Sequence, residues 1–260
     1  MKAIVLAAGY ATRLYPLTES RAKPLLPVGG RPMLDYIIDA LDEVPEIDAV
    51  HVATNHKFAD SFAQWAAERV HGRVRPVIHD DLTMSEDDRL GAIGAVRFVL
   101  DEAGLEGDDL LVVAGDNLFD FSLDEYVRWW REKGEASAVA LYDVGDLALA
   151  RKYGIVAVAA DERIESFEEK PERPRSTLAA TAAYLYHRAH VPFVHRYLAE
   201  GNSPDQPGRF IAWLHTRAPV FGHRVEGEWR DIGDVDQLLE ADSRLRERAG
   251  LPARDSYTPE

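Results

Sequence analysis

The chain has 260 residues, of which 46% are hydrophobic and 29% are charged, so it holds enough apolar material for one large folded domain and is not intrinsically disordered. Its 45 acidic and 30 basic side chains give a formal net charge of −15, which disfavours nucleic acid and membrane as partners. An anionic ligand would therefore need a few local cations or a metal ion. The lack of cysteine excludes disulfides and thiolate zinc sites.

Short apolar runs alternate along the chain with longer amphipathic stretches. The pattern predicts strands at residues 3–7, 49–53, 75–78, 110–114, 136–142, 154–158 and 180–186. It predicts helices at residues 33–43, 57–70, 92–102, 123–132, 192–200 and 235–248. Alternation of strand and helix is typical of a three-layer α/β/α, Rossmann-like fold with a mostly parallel, mixed central sheet.

No internal repeat or flexible linker divides the sequence, so we expect one folded unit over residues 1–240. Residues 241–260 are expected to form a helix end and a flexible tail, since Pro252, Pro259 and few apolar side chains lie there. The apolar run at residues 3–8 is too short for a signal peptide or a membrane span, and we expect a cytoplasmic protein.

Two other patterns have plain structural explanations. Phe58, Phe62 and Trp65 have helical spacing, which predicts that they share one face and pack in the core. His187 and His190 are three residues apart, but no third ligand follows at a suitable spacing. We therefore do not expect a metal site at the two histidines.

The first predicted strand runs into a loop of small residues, Leu6-Ala-Ala-Gly-Tyr-Ala-Thr-Arg-Leu14. Because Ala8, Gly9 and Ala11 present almost no side chain, backbone N–H groups in this loop could approach a phosphate closely. Arg13 and, further along, Lys23 add a planar and a compact cation. The loop lacks the Gly-Lys-Ser/Thr ending of a P-loop and the three glycines of a dinucleotide fingerprint. A tight turn without a ligand is the alternative interpretation.

Further motifs follow in chain order. They are Lys23-Pro-Leu-Leu-Pro27, Gly91-Ala-Ile-Gly-Ala95, Gly115-Asp-Asn117, Tyr153-Gly154, Glu168-Glu-Lys-Pro171 and Trp229-Arg-Asp-Ile-Gly233. With the small-residue loop, this series resembles the sugar-phosphate nucleotidyltransferases, the NDP-sugar pyrophosphorylases that include the glucose-1-phosphate thymidylyltransferases. The chain departs from the family pattern at Ala11 and Ala182, where the family usually has glycine.

The resemblance implies the nucleotidyltransferase form of the α/β/α fold, with residues 1–240 as its catalytic domain. It implies catalytic roles for Arg13 and Lys23 and a Mg²⁺ site at Asp116 and Asp231. The nucleoside triphosphate (NTP) would be bound by Leu6, Ala8, Gly9, Tyr10, Ala11, Thr12, Gly91 and Gly94. The sugar 1-phosphate would be bound by Gly154, Glu169, Lys170 and Thr181.

The implied metal and phosphate ligands are also chemically reasonable by themselves. Asp116 follows an apolar strand, which places it at the carboxyl end of the sheet, where open α/β sheets bind ligands. Mg²⁺ is commonly held by one or two carboxylates together with substrate phosphates, which fits Asp116 and Asp231. The alternatives are a turn-forming aspartate, a solvated loop acid and, for Lys170, a surface ion pair with a neighbouring glutamate.

The reaction that the resemblance implies joins an NTP to a sugar 1-phosphate and releases pyrophosphate. A phosphate monoester is largely ionised near pH 7, so the attacking oxygen needs no general base. The alternatives are a catalytically silent regulatory subunit of the same fold and a different enzyme, such as a glycosyltransferase. The sequence does not identify the sugar. It does not identify the nucleobase either, because Gly94 offers no side chain to recognise it. A homo-oligomer is possible.

Overall fold

The computed structural model describes residues 1–69 and 71–259, so Val70 of the second predicted helix and Glu260 of the predicted tail lie outside the described residues. The strands are β1 Lys2–Leu6, β2 Pro27–Val28, β3 Arg31–Pro32, β4 Ala49–Thr54, β5 Pro76–Asp80, β6 Leu110–Ala114, β7 Asn117–Phe119, β8 Ser137–Asp143, β9 Gly154–Val158, β10 Ile164–Glu169, β11 Leu178–Tyr186, β12 Val220–Arg224 and β13 Trp229–Asp231. The helices are α1 Met33–Asp42, α2 Ala59–Glu68, α3 Ala92–Ala103, α4 Leu123–Arg131, α5 Leu147–Ala150, α6 Phe193–Ala199, α7 Pro207–Leu214 and α8 Val235–Arg248.

The central sheet is mixed. Its main path runs β10-β9-β11-β6-β1-β4-β5, with β8 paired to β11 and β12 paired to β8. The strands β6, β1, β4 and β5 are parallel to one another, whereas β11 is antiparallel to β6, β8 and β9. The expected mixed α/β fold is confirmed, with a larger antiparallel share than the sequence pattern indicates. The parallel strands direct their carboxyl ends toward a single edge, where a site is expected.

Alternation of side chains along the strands divides the core into two layers, one on each face of the sheet. In β6, Leu111 and Val113 face a cluster that contains side chains of α1, α2 and α4. Leu110 and Val112 face the opposite cluster, to which α3, α6 and α7 contribute. Because successive residues of a strand point to opposite faces, this apolar strand is covered by helices on both sides. The three-layer arrangement follows directly.

The helix residues with apolar spacing are buried as expected. Phe58, Phe62 and Trp65 lie in the first core layer, so their predicted packing role is confirmed. His187 and His190 are also buried, and the Nδ1 of His190 lies 2.9 Å from the hydroxyl of Ser137. None of the helices within residues 1–69 and 71–259 is long and apolar enough to cross a membrane.

The carboxyl-terminal part packs against the body of the fold. A third apolar cluster joins α8 to β2 and β7 and includes Tyr257, which is buried. The hydroxyl of Tyr257 donates to the carbonyl oxygen of Pro27 over 2.8 Å. Residues 241–248 are the end of α8, and Tyr257 of the expected tail packs against the body of the fold. The division at residue 240 stays a prediction.

The sequence pattern missed the strands β2, β3, β7, β10, β12 and β13 and the helices α5 and α7. The strands β10 and β12 lie toward the margin of the sheet, and β10 carries three glutamates, so neither shows a continuous apolar run. The helix α7 has only 8 residues and begins with proline and glycine, which hides its amphipathic pattern. Its loop contributes to the site described next.

Candidate active site

A cleft of about 650 Å³ opens at the carboxyl ends of β1 and β6 and extends over β9, β10 and β11. Ligand-binding sites of open α/β sheets commonly have this volume and lie at the carboxyl ends of the strands. Of the residues expected in the site, the cleft is lined by Leu6, Ala8, Gly9, Tyr10, Ala11, Thr12, Arg13, Lys23, Gly91, Asp116, Gly154, Glu169, Lys170 and Asp231.

The loop after β1 turns sharply over the sheet edge. Ala11 holds a left-handed backbone, with φ 49° and ψ 44°, and its carbonyl oxygen accepts a hydrogen bond from the hydroxyl of Thr18 over 2.8 Å. A Cβ added at Gly9 would meet nothing within 4 Å, so open space lies above the loop backbone. The loop therefore keeps the conformation that suits glycine at residue 11 even though alanine occupies it.

Lys23 and Asp116 form the charged centre of the cleft. Lys23 is buried, and its Nζ lies 2.7 Å from Oδ2 of Asp116. The amide of Asn117 donates to the other carboxylate oxygen over 2.9 Å. Burial works to raise the pKa of Asp116, but the charge of Lys23 and the hydrogen bonds from Lys23 and Asn117 outweigh it, so the pKa lies below its ordinary value. Asp116 is thus held ionised.

A short antiparallel ladder brings Asp231 to the same centre. In this ladder of β13 and β7, Asp231 is in register with Asn117, the residue after Asp116. The backbone N–H of Ile232 also donates to the carbonyl oxygen of Asp116 over 3.3 Å. Burial and the charge of Asp116 raise the pKa of Asp231 above its ordinary value, against the opposing charges of nearby cations. Two carboxylates that repel each other in one cleft are a suitable donor pair for a hard divalent cation.

The other end of the cleft is built from β9 and β10. Glu169 is in register with Gly154, and the ring of Phe167 fills the space beside both. A Cβ at Gly154 would lie 2.6 Å from Cζ of Phe167, and one at Gly208 would lie 2.4 Å from it. Burial raises the pKa of Glu169, and the charges of Lys170 and Arg209 oppose the rise. The two glycines therefore allow Phe167 and Glu169 to line the cleft.

Arg13 and Lys170, like Lys152, line the cleft and have no carboxylate partner within residues 1–69 and 71–259. Both Arg13 and Lys170 are exposed, and neither forms an ion pair there. The alternative that Lys170 pairs with a neighbouring glutamate is therefore not what the structure shows. In a chain with a net charge of −15, unpaired cations that line one cleft provide sites for anionic ligands.

Two of the expected site residues do not line the cleft. Thr181 is 1% exposed and donates its hydroxyl to the carbonyl oxygen of Ala140, while Ala180 and Ala182 line the cleft instead. Gly94 lies inside α3, where an added Cβ would meet Cβ of Leu90 at 3.1 Å. Thr181 differs from its neighbours because successive strand residues face opposite sides, and Gly94 lies within α3 beside Leu90. The substrate contacts expected of both residues stay predictions.

The structure adds cleft residues that the sequence reasoning missed. They include Asp81, Glu86, Arg89, Lys152, Phe167, Tyr184, Asp205, Gln206, Pro207 and Gly208. Asp81 directly follows β5, so the reasoning that located Asp116 at a strand end would also have located it. The residues near α7 gave no comparable signal, because that helix was not predicted.

Known proteins resemble this chain over nearly its whole length. The sequence matches the nucleotidyl transferase family over residues 2–248. The bifunctional protein GlmU of Methanocaldococcus jannaschii is 26% identical over 251 residues, which are 95% of this chain and 55% of that protein. The glucose-1-phosphate adenylyltransferase of Clostridium acetobutylicum is 26% identical over 259 residues, which are 94% of this chain and 66% of that protein.

A crystal structure shows the same architecture. It comes from Bacillus anthracis, was assigned as a glucose-1-phosphate thymidylyltransferase and contains sucrose. It matches with a TM-score of 0.77 and 25% identity, over 95% of this chain and 96% of that chain. This chain spans about half to two thirds of the length of the two curated relatives. The matched region and the shared architecture establish that the chain belongs to the nucleotidyl transferase family.

Proposed function

We propose that the protein transfers a nucleotidyl group from an NTP to a sugar 1-phosphate, giving an NDP-sugar and pyrophosphate, with Mg²⁺ as cofactor. Its relatives include proteins named as glucose-1-phosphate nucleotidyltransferases, for adenylyl transfer in one case and thymidylyl transfer in another. The cytoplasmic location and a homo-oligomeric state remain predictions from the sequence.

One observation carries the proposal. Lys23, Asp116 and Asp231 stand between the loop after β1 and the end of the cleft that contains Glu169 and Lys170. The loop suits a triphosphate, since its backbone is open and Arg13 is unpaired. A second phosphate could be held by Lys170, with sugar hydroxyls at Glu169. Two polyanions would then meet at the charged centre.

The residues supply positioning and charge neutralisation rather than acid–base chemistry. A sugar phosphate held by Lys170 presents an oxygen that is already ionised near pH 7, so it can attack the α-phosphorus directly. Arg13 and Lys23 would stabilise the negative charge that builds on the α-phosphate and on the departing pyrophosphate. Because the sugar phosphate is itself the nucleophile, the reaction needs no covalent enzyme intermediate, which favours direct displacement.

The donor set fits Mg²⁺. Asp116 is held ionised, and burial together with the charge of Asp116 disfavours the ionised form of Asp231. A divalent cation would relieve the repulsion between the two carboxylates. Carboxylate oxygens from one or two residues, completed by phosphates and water, are the usual ligands of Mg²⁺. When bound, the ion would offset phosphate charge and align the triphosphate.

The test is a matrix of ATP, CTP, GTP, UTP and dTTP against a panel of sugar 1-phosphates, read as pyrophosphate release over a Mg²⁺ titration. Asp116→Asn and Asp231→Asn should each remove most turnover without unfolding the protein, because asparagine keeps the shape and loses the charge. If both serve one ion, the double variant should be scarcely slower than either single variant.

Asp120→Asn is the matched control, because Asp120 is exposed beyond β7 and accepts from the backbone of Glu228 outside the cleft. This variant should keep normal turnover. Near-normal turnover in either cleft variant would contradict a shared metal. A wild-type protein that binds NTP but is inactive with every pair would instead support the silent regulatory subunit.

A further inference from the structure

Asp81 carries an unsatisfied acceptor in the wall of the cleft. It follows β5, is 6% exposed and lines the cleft. Its Oδ1 accepts from the backbone N–H of Thr83 over 2.9 Å and from the Thr83 hydroxyl over 2.7 Å. Its Oδ2 is buried and has no hydrogen-bond partner within residues 1–69 and 71–259.

A buried carboxylate oxygen without a donor is unfavourable in the free protein. Buried polar atoms are paired in most proteins because an unpaired one loses its hydration without compensation. Burial raises the pKa of Asp81, and the charges of Asp80 and Asp88 add to this effect, although hydrogen bonds from Thr83 oppose it. A ligand that brings a hydrogen-bond donor to Oδ2 would supply the missing hydrogen bond and stabilise the ionised carboxylate.

The order of strands places Asp81 at the end of the cleft that lies opposite Glu169. The strands run β6-β1-β4-β5 across the sheet, so their carboxyl ends present Asp116, then the loop after β1, then Asp81. The end with Glu169 lies beyond β6, on the far side of Asp116. If the triphosphate lies on the loop with its α-phosphate near Asp116, the base extends toward β5. Tyr10 of the loop reaches the same place, with its hydroxyl 3.1 Å from that of Thr83.

Resting on the proposed function, we propose that Asp81 selects the nucleobase by accepting a hydrogen bond from its exocyclic amino group. Adenine, cytosine and guanine each offer such a donor. Uracil and thymine have no amino group, and a carboxylate that accepts from their single N–H is repelled by the carbonyl oxygens on both sides of it. The substrate is therefore the triphosphate of an amino-bearing base. Relatives named for adenylyl and thymidylyl transfer fall on both sides of this division.

The test is direct binding of ATP, CTP, GTP, UTP and dTTP, each with Mg²⁺, measured by titration calorimetry on the full chain, so the sugar need not be known. We expect at least one amino-bearing nucleotide to bind about tenfold or more tightly than UTP and dTTP. Asp81→Asn replaces one carboxylate oxygen by an amide NH2 group, which can donate a hydrogen bond to a carbonyl oxygen of the base. This substitution should change the ratio of the affinity for the preferred amino-bearing nucleotide to the affinity for UTP by about tenfold or more, in favour of UTP.

Asp80→Asn is the control, because it makes the same charge change one residue away. Asp80 accepts from the backbone N–H of Leu82 and is not part of the cleft wall. This variant should keep the wild-type preference. A wild type that prefers UTP or dTTP, or an unchanged ratio in Asp81→Asn, would overturn the role of Asp81 and leave the proposed function standing. A wild type that binds no NTP would overturn both, and if Asp81→Asn does not fold, the wild-type preference decides.

Discussion

Trp229 donates its indole N–H to the side-chain oxygen of Asn117 over 2.6 Å, and Asn117 donates in turn to Asp116. This bond joins the two strands of the β13–β7 ladder and fixes which way the Asn117 amide points. A chain of buried hydrogen bonds that orients a metal ligand commonly affects both metal affinity and rate. Trp229 is therefore a positioning residue in the proposed mechanism.

Trp229→Phe should keep the ring packing and lose the donor, so the Asn117 amide can rotate away from Asp116. We expect turnover to fall by about tenfold, with a higher Mg²⁺ requirement and little change in the KM for the sugar phosphate. Trp213→Phe is the matched control, since Trp213 donates to Glu200 on an exposed part of the surface. A loss of stability with an unchanged Mg²⁺ requirement would show that Trp229 acts only as a packing residue.

Lys170 gives the second prediction, since it lies beside Glu169 in the cleft and forms no ion pair within residues 1–69 and 71–259. Lys170→Ala should weaken sugar 1-phosphate by about tenfold to a hundredfold and affect NTP far less, because one charge-assisted hydrogen bond is lost. Lys133→Ala is the control, because Lys133 pairs with Glu162 away from the cleft. Steady-state KM values for the two substrates measure the effect, and an equal loss for both would contradict the assignment.

The fold was more predictable from the sequence than the details of the site. Strands β6 and β9 have the expected bounds because uninterrupted apolar runs leave few alternatives. Asp116 was predictable because it follows a strand of the parallel core. Thr181 was not, since a shift of one residue along β11 reverses the side that a side chain faces. Lys23 and Asp231 come to Asp116 from distant parts of the chain, so no local pattern links them to it.

Ala182 provides a third prediction, because it lies in β11 with a left-handed φ of 57°. It sits where the pairing of β11 with β8 is irregular, between Ala180 and Tyr184. A left-handed backbone is unfavourable for alanine and free for glycine, so Ala182→Gly should raise the free energy of unfolding by about 0.5 to 1 kcal/mol. Ala180→Gly, at a regular position of the same strand, should lower it by a similar amount. Urea denaturation measures both, and destabilisation by both changes would show that the backbone at Ala182 is not strained.

The last prediction concerns acid stability and a buried histidine pair outside the cleft. His51 in β4 and His79 in β5 are buried, and Nδ1 of His51 lies 2.8 Å from Nε2 of His79. Burial and the charge of His79 lower the pKa of His51 from 6.5 to about 4. Between these values the unfolded chain binds a proton at His51 that the folded protein does not bind.

Above pH 6.5, His51 is neutral in both states and does not change the free energy of unfolding. As the pH falls from 6.5 toward about 4, the unfolded state gains a proton at His51 first, so the free energy of unfolding decreases. The loss from this one group is on the order of 3 kcal/mol. His51→Leu removes the group, so the free energy of unfolding should fall less steeply between pH 6.5 and 4.5 than in the wild type. His71→Leu, at an exposed histidine, should keep the wild-type slope. Urea titrations at several pH values give the slopes, and identical slopes for His51→Leu and wild type would mean that His51 takes up its proton equally well in the folded protein.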